Sequence, residues 1–251
     1  MNMSNKVPGV TVFFWIIKIL ATTVGETAAD FLSTRLHLGL VATSGIMTVA
    51  FAVALFVQMR SRRYIRGVYW TVVVFISVVG TLLSDNLVDN LGVSLHATTI
   101  AFACILAVVF ALWWFSEKTL SVHSITTRKR EGFYWAAILF TFALGTSAGD
   151  LVAESLQLGY ALSAVMFASA IGLTALAHYV FRVNGILAFW IAYVLTRPLG
   201  ASMGDLLSQP VKDGGVGFGT TLTSIAFLST IVGLVLYLNG RQQRLPGGAQ
   251  L

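Results

Sequence analysis

Apolar residues run along this chain in long stretches, broken at intervals by short polar segments. Eight of the stretches, at 11-33, 38-59, 68-88, 93-115, 134-156, 159-181, 185-207 and 217-238, reach the roughly 20 residues a helix needs to cross a bilayer core. They are too long, and too uniformly apolar, for the ten-residue alternating strands of an outer-membrane barrel. The pattern predicts an all-α membrane protein of eight transmembrane helices. Its first stretch lacks a small-residue cleavage site and carries Lys18 and Glu26, so it reads as a retained span rather than a removed leader.

A repeat underlies the pattern. WIIKILATTVGETAAD, WTVVVFISVVGTLLSD, WAAILFTFALGTSAGD and WIAYVLTRPLGASMGD begin at Trp15, Trp70, Trp135 and Trp190. Each carries a glycine ten positions after the tryptophan (Gly25, Gly80, Gly145, Gly200) and an aspartate fifteen after it (Asp30, Asp85, Asp150, Asp205). The first and third units lie 120 residues apart, as do the second and fourth, which marks a duplication of a duplication. RLHLGL at 35–40 and SLQLGY at 155–160 extend the match between units one and three. Two spans per unit return the chain to the same side, so the four hairpins are expected in parallel orientation. The predicted halves are 1-120, with spans one to four, and 132-251, with spans five to eight, joined by a cytoplasmic linker at 121-131. At the repeated positions, tryptophan is expected as an interfacial anchor and glycine as a site of close helix packing.

The composition agrees, with 57% hydrophobic residues, 10% charged, and a mean hydropathy of +0.83. Of the 16 lysines and arginines, twelve fall on one side of the predicted spans. They are Lys6, Arg60, Arg62, Arg63, Arg66, Lys118, Arg128, Lys129, Arg130, Arg182, Arg241 and Arg244; only Arg35 and Lys212 fall on the other. The positive-inside rule makes the first side cytoplasmic and places both termini there, in a bacterial inner membrane. The net charge of +6 sits at span ends and forms no basic stripe interleaved with aromatics, so no nucleic acid is expected as partner. Cys104, the single cysteine, excludes a disulfide framework or a CxxC site and reads as a small buried hydrophobe.

The repeated aspartates carry the chemistry. An ionised carboxylate facing lipid costs at least about 2.5 kcal/mol, so four at one register are expected to face a polar interior. Three units add a second acid one turn away, in the pairs Glu26 and Asp30, Asp85 and Asp89, and Asp150 and Glu154; the fourth has Gln209 beyond Asp205. Residues four apart share a helix face, so seven carboxylates are expected to line one cavity. Thr22, Thr27, Thr81, Ser84, Asn86, Thr146, Ser147 and Ser202 would supply neutral oxygens. Lys18 precedes Glu26 by eight positions, and Arg197 precedes Asp205 by eight, so each is expected two turns below an acid, offsetting its charge. Crowded carboxylates resist simultaneous ionisation and suit the exchange of a cation for a proton. An all-oxygen donor set disfavours copper and zinc and fits alkali ions, magnesium, calcium or manganese. Glu26, Asp30, Asp85, Asp150 and Asp205 are the expected ligands. His37, His96, His123 and His178 read as interfacial, packed or solvated.

The four-unit pattern, with KILATTVGETAAD opening it, resembles a bacterial family labelled as uncharacterised membrane-anchored proteins. That resemblance implies efflux of monovalent cations, caesium included, by proton antiport, with Lys18, Glu26, Asp30, Asp85, Asp150 and Asp205 as the residues concerned. A looser likeness runs to cation exporters with acidic E-x-G-D motifs. Ala201, where Glu26 stands in the first unit, and Gln209 depart from a symmetric acidic site. The expectation is a secondary transporter, not an enzyme, exporting a hard cation such as caesium, potassium, sodium or manganese against protons. Its expected partners are these ions and the membrane lipids, and no cofactor is called for. A passive channel, an intramembrane enzyme and a structural scaffold are the alternatives, and homo-oligomerisation stays open.

Overall fold

The computed structural model describes residues 5–243, with side chains to 241; Arg244 lies outside them. Its long helices are α1 (Val12–Asp30), α2 (Gly39–Arg60), α3 (Arg66–Asp85), α4 (Leu95–Glu117), α5 (Arg128–Asp150), α6 (Gly159–Phe181), α7 (Gly185–Ser208) and α8 (Gly219–Gln243). No strand occurs among the described residues, and all eight helices are long and apolar enough to cross a membrane. The protein is therefore an all-helical, multi-pass membrane protein of the expected span number. Most limits agree with the hydropathy reading within about two residues. The fifth helix starts at Arg128, well before the predicted 134, because Thr127 caps it by accepting a hydrogen bond from the Arg130 amide at 3.2 Å.

The odd-numbered helices make an inner ring: α1 packs on α3, α3 on α5, α5 on α7, and α7 back on α1. Each even-numbered helix leans on the odd helix of the following repeat, α2 on α3, α4 on α5, α6 on α7 and α8 on α1. Most of the inner helices' residues are buried, whereas the outer helices turn Val53, Phe56, Ile100, Leu112, Leu173 and Leu236 outward. An apolar outer surface of this kind is stable against lipid tails.

The repeated glycines set the ring. A Cβ on Gly25 would overlap Ser77, one on Gly80 would overlap Phe142, one on Gly145 would overlap Arg197, and one on Gly200 would overlap Thr22. Ser77, Phe142, Arg197 and Thr22 each stand three residues before the glycine of their own unit, so every unit presses this position into the glycine notch of the unit before it. The fourth notch takes the first unit, which closes the circle. Small residues are the means by which membrane helices approach this closely.

The tryptophans do not anchor the interface as expected. Trp70, Trp135 and Trp190 are buried, and only Trp15 is half-exposed. They join Phe14, Tyr69, Tyr134 and Phe189, one residue before each tryptophan, in an aromatic layer across the end of the ring nearest the chain termini. Its rings lie edge-on or tilted at 5–6.5 Å, as in Tyr69–Trp135 at 5.5 Å and Phe14–Phe189 at 6.1 Å, and the Tyr69 and Tyr134 hydroxyls hydrogen bond to each other. Cys104 also departs from expectation: it is exposed on the outer side of α4.

The segment read as a linker is partly core. Val122 and Ile125 are buried, and His123 is exposed. Glu131 is 1% exposed and accepts a hydrogen bond from Lys6 Nζ at 2.6 Å and another from Gln58 Nε2 at 3.3 Å. The same ammonium donates to the Met59 carbonyl at 3.0 Å, so the N-terminal segment ties the end of α2 to the start of α5.

Candidate functional site

After each of the first three repeated aspartates the helix widens into a single π turn, at Phe31–Arg35, Asn86–Asn90 and Leu151–Ser155. The i→i+5 bonds from Leu36 to Phe31, from Leu91 to Asn86 and from Leu156 to Leu151 define these turns. Asp89 and Glu154 lie within the second and third of these turns, four residues on from Asp85 and Asp150. The fourth unit carries Pro210 at the corresponding place, five residues past Asp205. Proline has no amide hydrogen to give, and α7 continues in the α form to Ser208, with Gln209 donating to the Asp205 carbonyl at 2.8 Å.

All seven predicted carboxylates, Glu26, Asp30, Asp85, Asp89, Asp150, Glu154 and Asp205, line one cavity of about 420 Å³ at the end of the ring away from the chain termini. Ser33, Thr34 and Gln209 complete its polar wall, and the starts of α2 and α4 (Gly39, Leu40, Leu95) lie at its rim. Glu26 and Asp205 are buried, Asp30, Asp85 and Asp150 are half-buried, and Asp89 and Glu154 are exposed. Gln209 Nε2 donates to Asp30 Oδ2 at 3.4 Å, so the amide of the fourth unit bridges to the acid of the first. The Tyr160 hydroxyl donates to Glu154 Oε1 at 3.3 Å. Glu26, Asp30, Asp85, Asp150 and Asp205, the expected metal ligands, share the wall without converging. Among the described residues no three His, Cys, Asp or Glu side chains are grouped so as to hold a metal ion.

The floor is built from the positions that follow the four glycines. Three of these are Glu26, Thr81 and Thr146, and the fourth is Ala201, whose small side chain leaves room for a guanidinium. Arg197, fully buried, fills it. Its Nη2 pairs with Glu26 Oε2 at 2.9 Å and donates to the hydroxyls of Thr81 and, at 2.7 Å, Thr146; Nη1 donates to the Thr22 carbonyl at 3.2 Å. One cation thus gathers α1, α3, α5 and α7. The expected pairing of Arg197 with Asp205 on its own helix is not found, because the side chain crosses the ring from its seat in the Gly145 notch.

Lys18 differs again. It is fully buried, but among the described residues no carboxylate pairs with it, contrary to the expected match with Glu26. Its Nζ donates to Thr196 Oγ1 at 3.3 Å and lies 4.2 Å from the Tyr193 ring centre and 4.4 Å from that of Phe142. Several expected neutral oxygens are also used elsewhere. Asn86 Nδ2 donates to Ser44 Oγ at 2.7 Å, Thr27 accepts from Ser224 at 2.8 Å, and of the eight only Thr81 and Thr146 serve the site, holding Arg197 beneath the open lining. His37, His96 and His178 do not line the cavity; His178 Nδ1 contacts the Val183 carbonyl at 2.8 Å.

The sequence reading missed the aromatic layer and the π turns. An aromatic residue before every repeated tryptophan was the signal for the first, and Pro210 in one unit of four was a trace of the second. The duplication shows in the backbone too, since His37 and Gln157 both adopt a left-handed φ, 54° and 56°, two residues before Gly39 and Gly159 at 74° and 72°.

Neither a curated protein nor a solved structure matches the chain. A family described as Repeat of Unknown Function (DUF347) matches it four times, at 13–64, 68–119, 133–184 and 188–243, each match spanning one inner and one outer helix. By that fourfold match over most of its length, the chain belongs to the DUF347 repeat family.

Proposed function

We propose that the protein exchanges a hard cation for protons across the membrane through the seven-carboxylate cavity. The observation that carries this reading is the one-sided cavity: acids from all four repeats line it, and the Arg197–Glu26 contact closes its floor. Beneath that floor the ring is filled by Phe142, Tyr193 and the aromatic layer. A site open to one side and sealed from the other matches one end state of an alternating-access carrier. A passive conduit would need a continuous wet path, which the guanidinium and the rings occupy.

Seven acids facing a single buried guanidinium leave an excess of negative charge, which protons or cations must neutralise. If the basic connections face the cytoplasm, as their distribution favours, the cavity faces outward. Protons then load on the carboxylates from outside and displace a cation carried from within. The residue set overlaps that of the monovalent-cation antiporters the sequence resembles, and the oxygen donors admit manganese as well.

Everted vesicles containing the protein, with an acid interior and a pH-reporting dye, test the reading. Addition of the transported cation is expected to discharge the pH gradient. Asp85→Asn, Asp150→Asn and Asp205→Asn are each expected to lower the response at least tenfold. No discharge with lithium, sodium, potassium, rubidium, caesium, magnesium, calcium or manganese chloride would rule exchange out. Ionic currents far above carrier rates would favour the channel instead.

A further inference from the structure

The exchange just proposed leaves one buried charge without a task. Lys18 sits on the sealed side of the Arg197 floor, away from the cavity wall. Thr196, its single hydrogen-bond partner, spends its own hydrogen on the Tyr193 carbonyl at 2.7 Å and so offers the ammonium a lone pair. From α7 the amine is also faced by the Tyr193 ring and by Arg197, whose guanidinium carbon lies 5.6 Å from the Phe142 ring that Lys18 shares. From α5 it meets Phe142, and the acids of that helix, Glu131 and Asp150, stand at its two ends. α3 carries charge only at its terminal Arg66 and Asp85, with Tyr69 engaged by Tyr134, and α8 carries it only at Arg241, with Tyr237 on the same helix. Two cations, Lys18 and Arg197, therefore share the sealed core with one carboxylate, Glu26, which Arg197 already engages.

An unpaired buried ammonium is unfavourable, and two ring faces compensate it only in part. Arginine keeps its proton under all ordinary conditions and tyrosine holds its own until strongly alkaline pH, whereas lysine is the residue whose charge burial removes most readily. Resting on the exchange reading, we infer that Lys18 carries the proton in the sealed half of the ring. Its Nζ is protonated while the cavity holds no cation. When the core opens toward the chain ends in the other end state and a cation enters from that side, one N–H bond breaks heterolytically, the electron pair stays on nitrogen, and the proton passes to the water admitted there. The positive charge gained by the cavity is thus matched by one lost beneath it.

The alternative role is a fixed charge that holds Phe142 and Tyr193 together, and the two roles differ in what arginine can replace. Purified protein in liposomes enclosing a pH-sensitive dye is driven by potassium, rubidium or manganese chloride, and 86Rb counterflow at equal pH reports cation passage without net proton movement. Lys18→Arg is expected to lose cation-driven proton movement at least tenfold while counterflow stays within about threefold. Lys18→His, which still has a proton to release, is expected to retain proton movement, with its pH profile moved to lower pH. Wild-type proton movement in folded Lys18→Arg overturns the inference and leaves exchange standing. If that variant does not fold, Lys18→His decides: a folded but inactive protein, or an unmoved profile, also overturns it. A wild type that moves no protons with these three salts or with lithium, sodium, caesium, magnesium or calcium chloride overturns exchange itself, and this inference with it.

Discussion

At the scale of single residues, the fourfold glycine notch and the guanidinium it seats govern what substitution does. Gly25→Val and Gly80→Val each push a side chain into the neighbouring helix, and overpacking of this kind costs about 1–3 kcal/mol. Both are expected to lower the midpoint of thermal unfolding in detergent, whereas Gly172→Ala and Gly233→Ala, where a Cβ meets nothing within 4 Å, are expected to leave it unchanged. Glu26→Ala strands the Arg197 guanidinium in the core, and loss of one partner of a buried pair costs about 3–5 kcal/mol. Adding Arg197→Met to that variant is expected to recover part of the loss in the same unfolding measurement. Both residues were legible in the sequence as buried charges, but not as partners. Spacing along one helix relates Arg197 to Asp205, whereas the contact with Glu26 depends on how the ring closes. Lys18 was misplaced for the same reason, since its neighbours Thr196, Tyr193 and Phe142 all lie on other helices.

At the scale of elements, periodicity gave the helices and their pairing into hairpins, while their ends came from local chemistry that hydropathy does not register. Thr127 moved the start of α5 outward, and Pro210 kept the fourth inner helix from widening after Asp205. The tie from the N-terminal segment to α2 and α5 joins three elements through Lys6 and Glu131, both 1% exposed. Lys6→Ala leaves the Glu131 carboxylate buried with only the Gln58 amide. We expect this variant to unfold at lower temperature and to be cut faster by trypsin at Arg128–Arg130, measured against wild type in the same detergent. Unchanged cleavage would mean that the segment around Val122 and Ile125 is held without this pair. A linker that looked polar is therefore partly core, because a few apolar residues among serines and arginines suffice to seat it.

At the scale of the molecule, eight apolar spans in four repeats were readable in advance, and acids of every unit line one cavity. The even spacing of the motif carries that information without any knowledge of neighbours. The direction in which the cavity faces is a further expectation from charge distribution. In a Cys104→Ala background, an impermeant maleimide added to intact cells is expected to label Glu154→Cys at the cavity mouth and to spare Lys118→Cys. The reverse pattern would place the cavity on the cytoplasmic side.

The floor beneath that cavity consists of one acid, two hydroxyls and one methyl group around a single guanidinium. An assembly of four identical hairpins can build no such arrangement, for symmetry would force four arginines, or none, onto the same axis. Linking the copies in one polypeptide lets each quarter diverge, so that a pore-like plan acquires a single off-centre charge and, with it, a polarity among otherwise equivalent walls.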